Sequence, residues 1–288
     1  MRSVGWQAWQ LFRRRRDADL IVTMGVRESM AYALICALLG LPSKQVMLEV
    51  FLDQPQPQSL LWRLKTRVYG WLAGRAVGLI TNSEAEIHSI AARYQVPPER
   101  MRFVPLCSTI PPEEVPESPG PNILAAGRTL RDFPLLVQVA EALPQYPFRV
   151  ICGHGDLQSE NLPDNLQVLR EIDLESYLEE LRAATLVVIP LQPTERSTGQ
   201  VVLLEAMAMG KAVIATRSPG MIDYIRDRET GWLVQAGDAE ALQAACEALM
   251  NDVAMRQQIG HQAQEYIKQE GAPDQHAEAL LSTMQGWR

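Results

Sequence analysis

The chain has 288 residues, of which 47% are hydrophobic and 21% are charged, and its formal net charge is −7. A chain of this length can bury a large core or two smaller ones. The acidic balance argues against a nucleic-acid partner, because affinity for phosphate backbones comes mainly from clustered Lys and Arg. Four cysteines form no C-x-x-C pair, which predicts free thiols in a reducing cytoplasm and neither disulfides nor a zinc site: Cys36, Cys107, Cys152 and Cys246.

Short apolar runs alternate with segments of helical period from residue 19 onward, which predicts an α/β fold with parallel sheets. In the first half, we predict strands at residues 20–23, 45–50, 78–81 and 102–105, and helices at residues 28–39, 59–72 and 84–94. The longest apolar stretch, residues 30–41, is shorter than the roughly 20 residues that span a bilayer. We interpret it as a buried helix.

Two segments of the first half, residues 6–16 and 60–72, combine aromatic and basic residues at helical spacing. Such helices can lie on anionic membranes. Because the chain as a whole is acidic, we favour a second interpretation, with the aromatic face in the core and the basic face in solvent. A third interpretation is that the exposed face of such a helix docks a partner chain. In the first segment the apolar residues precede the basic cluster Arg13–Arg16, the reverse of a secretion signal. The sequence thus predicts a cytoplasmic protein that could still be peripheral to a membrane.

Residues 108–121 are rich in Pro, Glu and Ser and have no hydrophobic period, so no helix or central strand can pass through them. They predict a linker between a domain at residues 1–107 and another at residues 122–252. In the second domain we predict strands at residues 122–126, 148–152, 166–169, 186–190, 212–215 and 232–234, and helices at residues 134–143, 174–183, 200–209 and 239–250. The tail, residues 253–288, is helical by pattern with an interruption at residues 271–273, and we expect it to return to the first domain.

The first candidate for chemistry is the turn that contains Gly127, Arg128 and Arg131, between a predicted strand and helix. Gly127 allows close approach of the backbone, and the two arginines can hold a diphosphate at the carboxyl end of the sheet. The alternative is a solvated turn with two surface arginines, which the spacing alone favours.

The second candidate is the small-residue turn before the helix at residues 200–209. The turn consists of Ser197, Thr198, Gly199 and Gln200. Its free backbone amides and the positive end of the helix can bind an anion. Glu205 interrupts the apolar face of this helix, where a carboxylate requires a partner. A ribose diol would satisfy it, and so would an internal Arg or backbone group. His154 follows a predicted strand and is either a solvated loop residue or part of a cleft.

Taken together, five segments resemble the C-terminal domain of the family 4 glycosyltransferases: residues 122–128 (NILAAGR), 152–155 (CGHG), 187–190 (VVIP), 204–216 (LEAMAMGKAVIAT) and 218–234. The resemblance implies a GT-B fold of two Rossmann-like domains. It also implies transfer of sugar, with retention, from a UDP-sugar or GDP-sugar, with no cofactor or metal. It assigns the donor diphosphate to Arg128 and the ribose to Glu205, and it makes Gly127, His154 and residues 197–200 substrate-binding.

The chain departs from that family at four points. One is that no histidine lies near Met24 and Gly25 or near residues 51–53, where the family commonly keeps an active-site histidine. The loop after Arg128 is shortened, so Arg131 would replace a phosphate-binding lysine, and Ser197 stands where the family has its first glutamate. The opening strands of the family's N-terminal domain have no counterpart in residues 1–107. Either the protein is a transferase for an unknown acceptor, lipid-linked or protein, or it is a non-catalytic subunit that binds a nucleotide or a partner protein. Because the strand near Leu20 would have an open edge, we expect residues 1–16 to form a helix over it or the protein to self-associate there.

Overall fold

The computed structural model of the chain describes residues 3–49, 56–113, 120–158 and 161–287. The chain divides into two compact units, Met1–Pro105 with Ala277–Arg288 (unit 1) and Leu106–His276 (unit 2). Each unit has its own parallel sheet, as the sequence predicts. Within the described ranges, no helix is both long enough and apolar enough to cross a membrane.

Unit 1 has a four-stranded parallel sheet whose strands lie side by side in chain order. The elements are α1 (Val4–Arg14), β1 (Ile21–Met24), α2 (Val26–Leu38), β2 (Gln45–Leu48), α3 (Leu60–Ala73), β3 (Gly78–Thr81), α4 (Glu84–Tyr94) and β4 (Met101–Phe103). Buried side chains from the strands and helices, among them Met47, Tyr69, Leu79 and Ile90, form its core. The predicted elements are found within two residues of their observed bounds, except that the end of the predicted strand 45–50, residue 50, lies outside the described residues.

The helix predicted within residues 1–16 is present as α1. Ser3 caps it by accepting a hydrogen bond from the Trp6 N–H at 3.3 Å. Ala8 is buried in a cluster with Tyr32 and Cys36 of α2, so α1 packs mainly on α2. A groove of about 490 Å³ lies between α1 and β1, and residues of both elements line it. Residues 1–2 lie outside the described part of the chain.

Two expectations about apolar surfaces in unit 1 are wrong. The stretch at residues 30–41 is only half-buried, because α2 buries Tyr32 and Cys36 and leaves Leu34 and Leu38 exposed. In α3, Tyr69 and Leu72 are buried, but Trp71 and the other three leucines of the helix are exposed. The physical reason is that apolar residues occupy more than one side of each helix, whereas the sheet can cover only one side.

Unit 2 has a six-stranded parallel sheet in the order β10-β9-β8-β5-β6-β7. Its elements are β5 (Ile123–Ala126), α5 (Phe133–Ala142), β6 (Phe148–Cys152), β7 (Leu166–Arg170), α6 (Leu174–Ala183), β8 (Leu186–Ile189), α7 (Gln200–Ala208), β9 (Ala212–Thr216), α8 (Pro219–Ile222), β10 (Trp232–Val234) and α9 (Ala239–Asn251), followed by α10 (Val253–Glu270). Numbered from β5, the order is 3-2-1-4-5-6, which is that of doubly wound dinucleotide-binding sheets. Such a sheet has one place where the strand order reverses, and here it lies between β5 and β8.

The segment interpreted as a linker is partly docked on unit 2. The Arg182 guanidinium donates to both carboxylate oxygens of Glu113, at 2.7 and 2.9 Å, and these hydrogen bonds lower the pKa of Glu113. The Glu113 N–H donates to the Ala208 carbonyl at 3.1 Å. Residues 106–113 therefore belong to the compact unit that follows them, and residues 114–119 of the proposed linker lie outside the described residues.

The tail joins unit 1 later than expected, at residue 277 instead of near residue 253. Helix α10 packs against α7, α9 and β9 within unit 2. It approaches closely because Gly260 faces Gly210, where a Cβ on Gly260 would lie 2.0 Å from the Gly210 carbonyl oxygen. The last helix, α11 (Pro273–Gln285), begins after the predicted interruption. Only residues from Ala277 onward belong to unit 1, where Trp287 and Met284 pack against its core.

Candidate functional site

Two loops meet where the strand order of unit 2 reverses. One follows β5 and the other follows β8, so both begin at the carboxyl edge of the sheet. The Asp132 N–H donates to the Pro190 carbonyl at 2.9 Å, and the Gln192 N–H donates to the Leu130 carbonyl at 3.0 Å. Doubly wound sheets bind their ligands at this position. We call the two hydrogen-bonded loops, residues 127–132 and 190–199, the switch-point loops.

The switch-point loops depend on backbone conformations that favour glycine. Gly127 has φ +124° and Gly199 has φ +92°. Gly199 is the N-cap residue of α7, and no side chain caps this helix end. The first-turn amides of α7 are therefore not occupied by a capping side chain, and the positive end of the helix lies at the switch point.

Arg131 places a buried positive charge between these glycines. Its side chain is only 7% exposed, and it donates from Nε to the Ala126 carbonyl and from Nη1 to the Thr129 carbonyl, both at 2.9 Å. A Cβ on Gly127 would lie 2.2 Å from Nη2. Burial lowers the pKa of Arg131 to about 10, so the guanidinium remains protonated at neutral pH.

No carboxylate in the described ranges forms an ion pair with Arg131. A buried charge without a close counter-ion is costly, and the two carbonyl groups and the more distant charge of Asp156 offset only part of that cost. An anion at the switch point would provide the missing negative charge. This arrangement differs from the solvated turn with two surface arginines that the spacing alone favours.

Arg128 has a different environment from Arg131. Its side chain is 63% exposed and forms an ion pair with Glu171 at 2.6 Å. The other oxygen of Glu171 accepts a hydrogen bond from the His154 backbone N–H at 3.3 Å. Glu171 therefore joins Arg128 and His154 at the carboxyl edge of the sheet, and the His154 side chain is exposed.

Glu205 is buried in α7 and has two hydroxyl partners from the chain itself. Its carboxylate accepts a hydrogen bond from Thr109 Oγ1 at 2.5 Å and another from Tyr177 Oη at 2.6 Å. Burial and the charge of Glu205 raise the pKa of Tyr177. The sequence predicted that this carboxylate would need either a ribose or an internal Arg or backbone partner, and the internal partners are hydroxyl groups.

The turn before α7 is tightly packed. Thr198 and Gln200 are buried, Ser197 is half-buried, and Gly220 fits against them so closely that a Cβ there would lie 2.6 Å from the Thr198 nitrogen. Within the described part of the chain, Gln200 Nε2 finds no hydrogen-bond acceptor. A buried amide in this state has a free donor available for a ligand or water.

Three residues around this site were missed from the sequence: Thr109, Glu171 and Tyr177. Thr109 belongs to a segment that looks like a linker, and the other two follow or lie in elements without a motif of their own. Their roles come from contacts 28 to 96 residues apart in the chain. No local pattern reports such contacts.

Because Tyr177 supplies half of the hydrogen bonding to a buried carboxylate, we predict that Tyr177→Phe lowers the free energy of unfolding by about 1.5–3 kcal/mol. Tyr146→Phe is the matched control, since the Tyr146 hydroxyl donates to Asn251 at the surface, and it should cost well under half as much. Urea unfolding of both variants measures the difference. Equal losses would mean that Glu205 does not depend on the Tyr177 hydroxyl.

Residues 120–252, just under half of the chain, match the model of the family "Glycosyl transferases group 1". This segment is similar to that family. Among curated glycosyltransferases, CapM of Staphylococcus aureus, named for capsular polysaccharide biosynthesis, is 37% identical over 76 residues, 26% of this chain and 20% of CapM. LpsE of Rhizobium meliloti, named for lipopolysaccharide core biosynthesis, is 26% identical over 172 residues, 56% of this chain and 50% of LpsE. The chain thus spans half or less of these two relatives.

Solved glycosyltransferase structures share the fold over nearly the whole chain. HepE of Anabaena in complex with UDP is 17% identical, with a TM-score of 0.79 over 97% of this chain and 82% of HepE. Sucrose-phosphate synthase of Thermosynechococcus elongatus is 19% identical, with a TM-score of 0.77 over 96% of this chain and 76% of that enzyme. The predicted GT-B-like α/β fold is confirmed.

Proposed function

We propose that the chain transfers a sugar, with retention, from a nucleoside diphosphate sugar bound at the switch-point loops to an acceptor. The observation that carries the proposal is the buried guanidinium of Arg131, which has no carboxylate partner among the described residues and lies beside two glycine-shaped turns. HepE, which shares the fold, has been solved with UDP and with UDP-glucose. Those complexes support a diphosphate as the missing anion.

In the proposed reaction, negative charge develops on the diphosphate as the bond to the sugar breaks. Arg131 is already desolvated and fixed by two carbonyl groups, so it can stabilise that charge without reorganising, which is how preorganised electrostatic catalysis acts. The first-turn amides of α7 and Gly127 would contact the phosphates. These groups and Arg128 supply positive charge, so the proposal calls for no metal and no other cofactor.

Arg128 would act as the second phosphate ligand by exchanging Glu171 for the donor. The pair is mostly exposed, and exposed ion pairs contribute only about 0–1 kcal/mol. A dianionic ligand can therefore compete with Glu171. The exchange would also free the carboxylate that holds the His154 backbone, which would couple donor binding to the loop that carries His154.

Glu205 would hold the ribose without losing its internal partners. A carboxylate has about four acceptor positions, and Thr109 and Tyr177 occupy two of them. Two positions remain for a ribose diol. The free Gln200 Nε2 donor, with Ser197 and Thr198, would orient hydroxyl groups of the sugar.

The alternative is a non-catalytic subunit that uses the same site to bind a nucleotide or that binds a partner protein. Ser197 in place of the glutamate of the family favours it, and so does the neutralisation of Arg128 by Glu171. In either case the donor would be a UDP-sugar or a GDP-sugar. The proposed acceptor is lipid-linked or a protein. Self-association of the chain at unit 1, or binding of a partner chain there, is also part of the proposal.

Incubation of the protein with labelled UDP- and GDP-sugars, with lipid and protein acceptors present, distinguishes the two functions. The transferase proposal predicts a labelled product or slow donor hydrolysis, either of which stops in Arg131→Met. Retention predicts that the anomeric configuration of the product equals that of the donor. Nucleotide binding without release of any sugar would instead support the non-catalytic subunit.

A further inference from the structure

Helix α3 of unit 1 turns an apolar stripe away from its own core. Leu60, Leu64, Val68 and Trp71 follow one another at four, four and three residues, so at about 100° per residue they share one face, and Leu61 lies beside them. These five side chains are between 39% and 76% exposed. The opposite face buries Thr66, Tyr69, Gly70, Leu72 and Ala73. The α3 stripe, as we call the five exposed residues, is therefore not needed to close the core of unit 1.

Basic side chains border the α3 stripe on both sides. By the same helical geometry, Arg63 and Arg67 lie along one edge of the stripe and Lys65 lies along the other, and all three are exposed. No Asp or Glu occurs between residues 54 and 83. An outward apolar stripe with a basic border on each side is the arrangement of a helix that lies in the interface of an anionic membrane, where apolar side chains enter the acyl boundary and cations meet the headgroups.

The distribution of charge along the chain also favours contact of unit 1 with an anionic membrane. Unit 1, residues 1–105 and 277–288, contains 15 Lys and Arg against 9 Asp and Glu, a net charge of +6, although the chain as a whole carries −7. An anionic surface would attract unit 1 and repel the remainder of the chain. Helix α2, which contacts α3, also has exposed leucines, Leu34 and Leu38. A second copy of this chain fits less well, because a two-fold contact through the stripe would bring the same basic borders together.

We propose that the α3 stripe docks the protein onto a membrane that contains anionic lipids. The proposal does not depend on the proposed transferase activity, because the stripe lies in unit 1 and the donor residues lie in unit 2. If it holds, a lipid-linked acceptor becomes the acceptor class that this chain can reach while docked.

The test is flotation of the full chain with vesicles of phosphatidylcholine alone and with vesicles of equimolar phosphatidylcholine and phosphatidylglycerol, without donor. We expect binding to the anionic vesicles only, weakened by salt. The triple variant R63Q/K65Q/R67Q should lose on the order of a hundredfold in vesicle affinity, since each cation near an anionic surface contributes about fivefold. L61Q/L64Q should lose at least about tenfold. Binding to neutral vesicles equal to that to anionic ones would overturn the proposal.

Matched controls separate docking from damage to the fold. Leu174→Gln removes an equally exposed leucine from unit 2, and Arg27→Gln removes an exposed cation from α2. Leu174→Gln should float like the wild type, and Arg27→Gln should lose no more than the roughly fivefold affinity of one cation. Light scattering tests whether a second copy of the chain covers the stripe instead. If the wild type is a dimer, L61Q/L64Q is a monomer and neither binds vesicles, the stripe is a contact between two copies. Equal flotation of the stripe variants and the controls would also contradict membrane docking.

Discussion

Arg131→Met should weaken binding of a UDP-sugar or GDP-sugar by about ten- to a hundredfold, the loss expected for charge-assisted hydrogen bonds worth about 1.5–3 kcal/mol. Methionine keeps much of the buried volume but removes the charge that the proposed diphosphate would neutralise. The free energy of unfolding should change much less, because the variant loses two hydrogen bonds to carbonyl groups but no longer has to bury an unpaired charge. Isothermal titration with UDP and GDP measures the affinity, and urea unfolding measures the stability.

Arg256→Met is the matched control for that variant. Arg256 also donates to two backbone carbonyl groups, those of Leu249 and Met250, and burial also lowers its pKa, but it lies in α10 away from the switch-point loops. Its replacement should leave nucleotide affinity unchanged. If the two variants bind the nucleotide equally well, Arg131 is a structural arginine and the donor site has been placed wrongly.

Gly127→Ala is expected to weaken nucleotide binding through backbone and steric effects together. The φ angle of +124° is one that a residue with a side chain rarely adopts, which costs about 1–3 kcal/mol. In addition, the new Cβ would lie 2.2 Å from Nη2 of Arg131, so the guanidinium must leave its place. We expect a loss of unfolding free energy and at least a tenfold loss of nucleotide affinity.

Gly237→Ala separates the two effects. Gly237 has φ +77°, yet a Cβ there would meet nothing within 4 Å. This variant should lose about 1–2 kcal/mol of stability from the backbone alone and bind the nucleotide like the wild type. Wild-type affinity in Gly127→Ala would show that the position of Arg131 over Gly127 is not part of the binding site.

The sequence was enough to predict the elements that build the sheets and the ends where the loops begin. In parallel sheets the buried strands form continuous apolar runs, and β3, α4, β6, α6 and β10 were predicted with their observed bounds. Because parallel strands present their carboxyl ends at one edge, the turn with Gly127 could also be placed at that edge. The residue preferences at helix caps and at turns that require glycine depend on neighbouring residues, so they can be predicted from the local sequence.

What the sequence could not provide depends on residues that are distant in the chain. The ion pair between Arg128 and Glu171 and the hydroxyl partners of Glu205 form only when separate loops meet in three dimensions. Arg128 and Arg131 look equivalent in the sequence, and only the fold makes one exposed and the other buried. For α3 the pattern shows that apolar and basic residues alternate around the helix, but which side faces the core depends on where the sheet lies.

The most direct test of the central claim is a crystal structure of the protein with bound UDP. We predict that oxygens of the diphosphate lie at hydrogen-bonding distance, about 3 Å, from the Arg131 guanidinium and from the first backbone amides of α7, with the ribose next to Glu205. A nucleotide bound elsewhere, with Arg131 still donating only to the Ala126 and Thr129 carbonyl groups, would contradict the account.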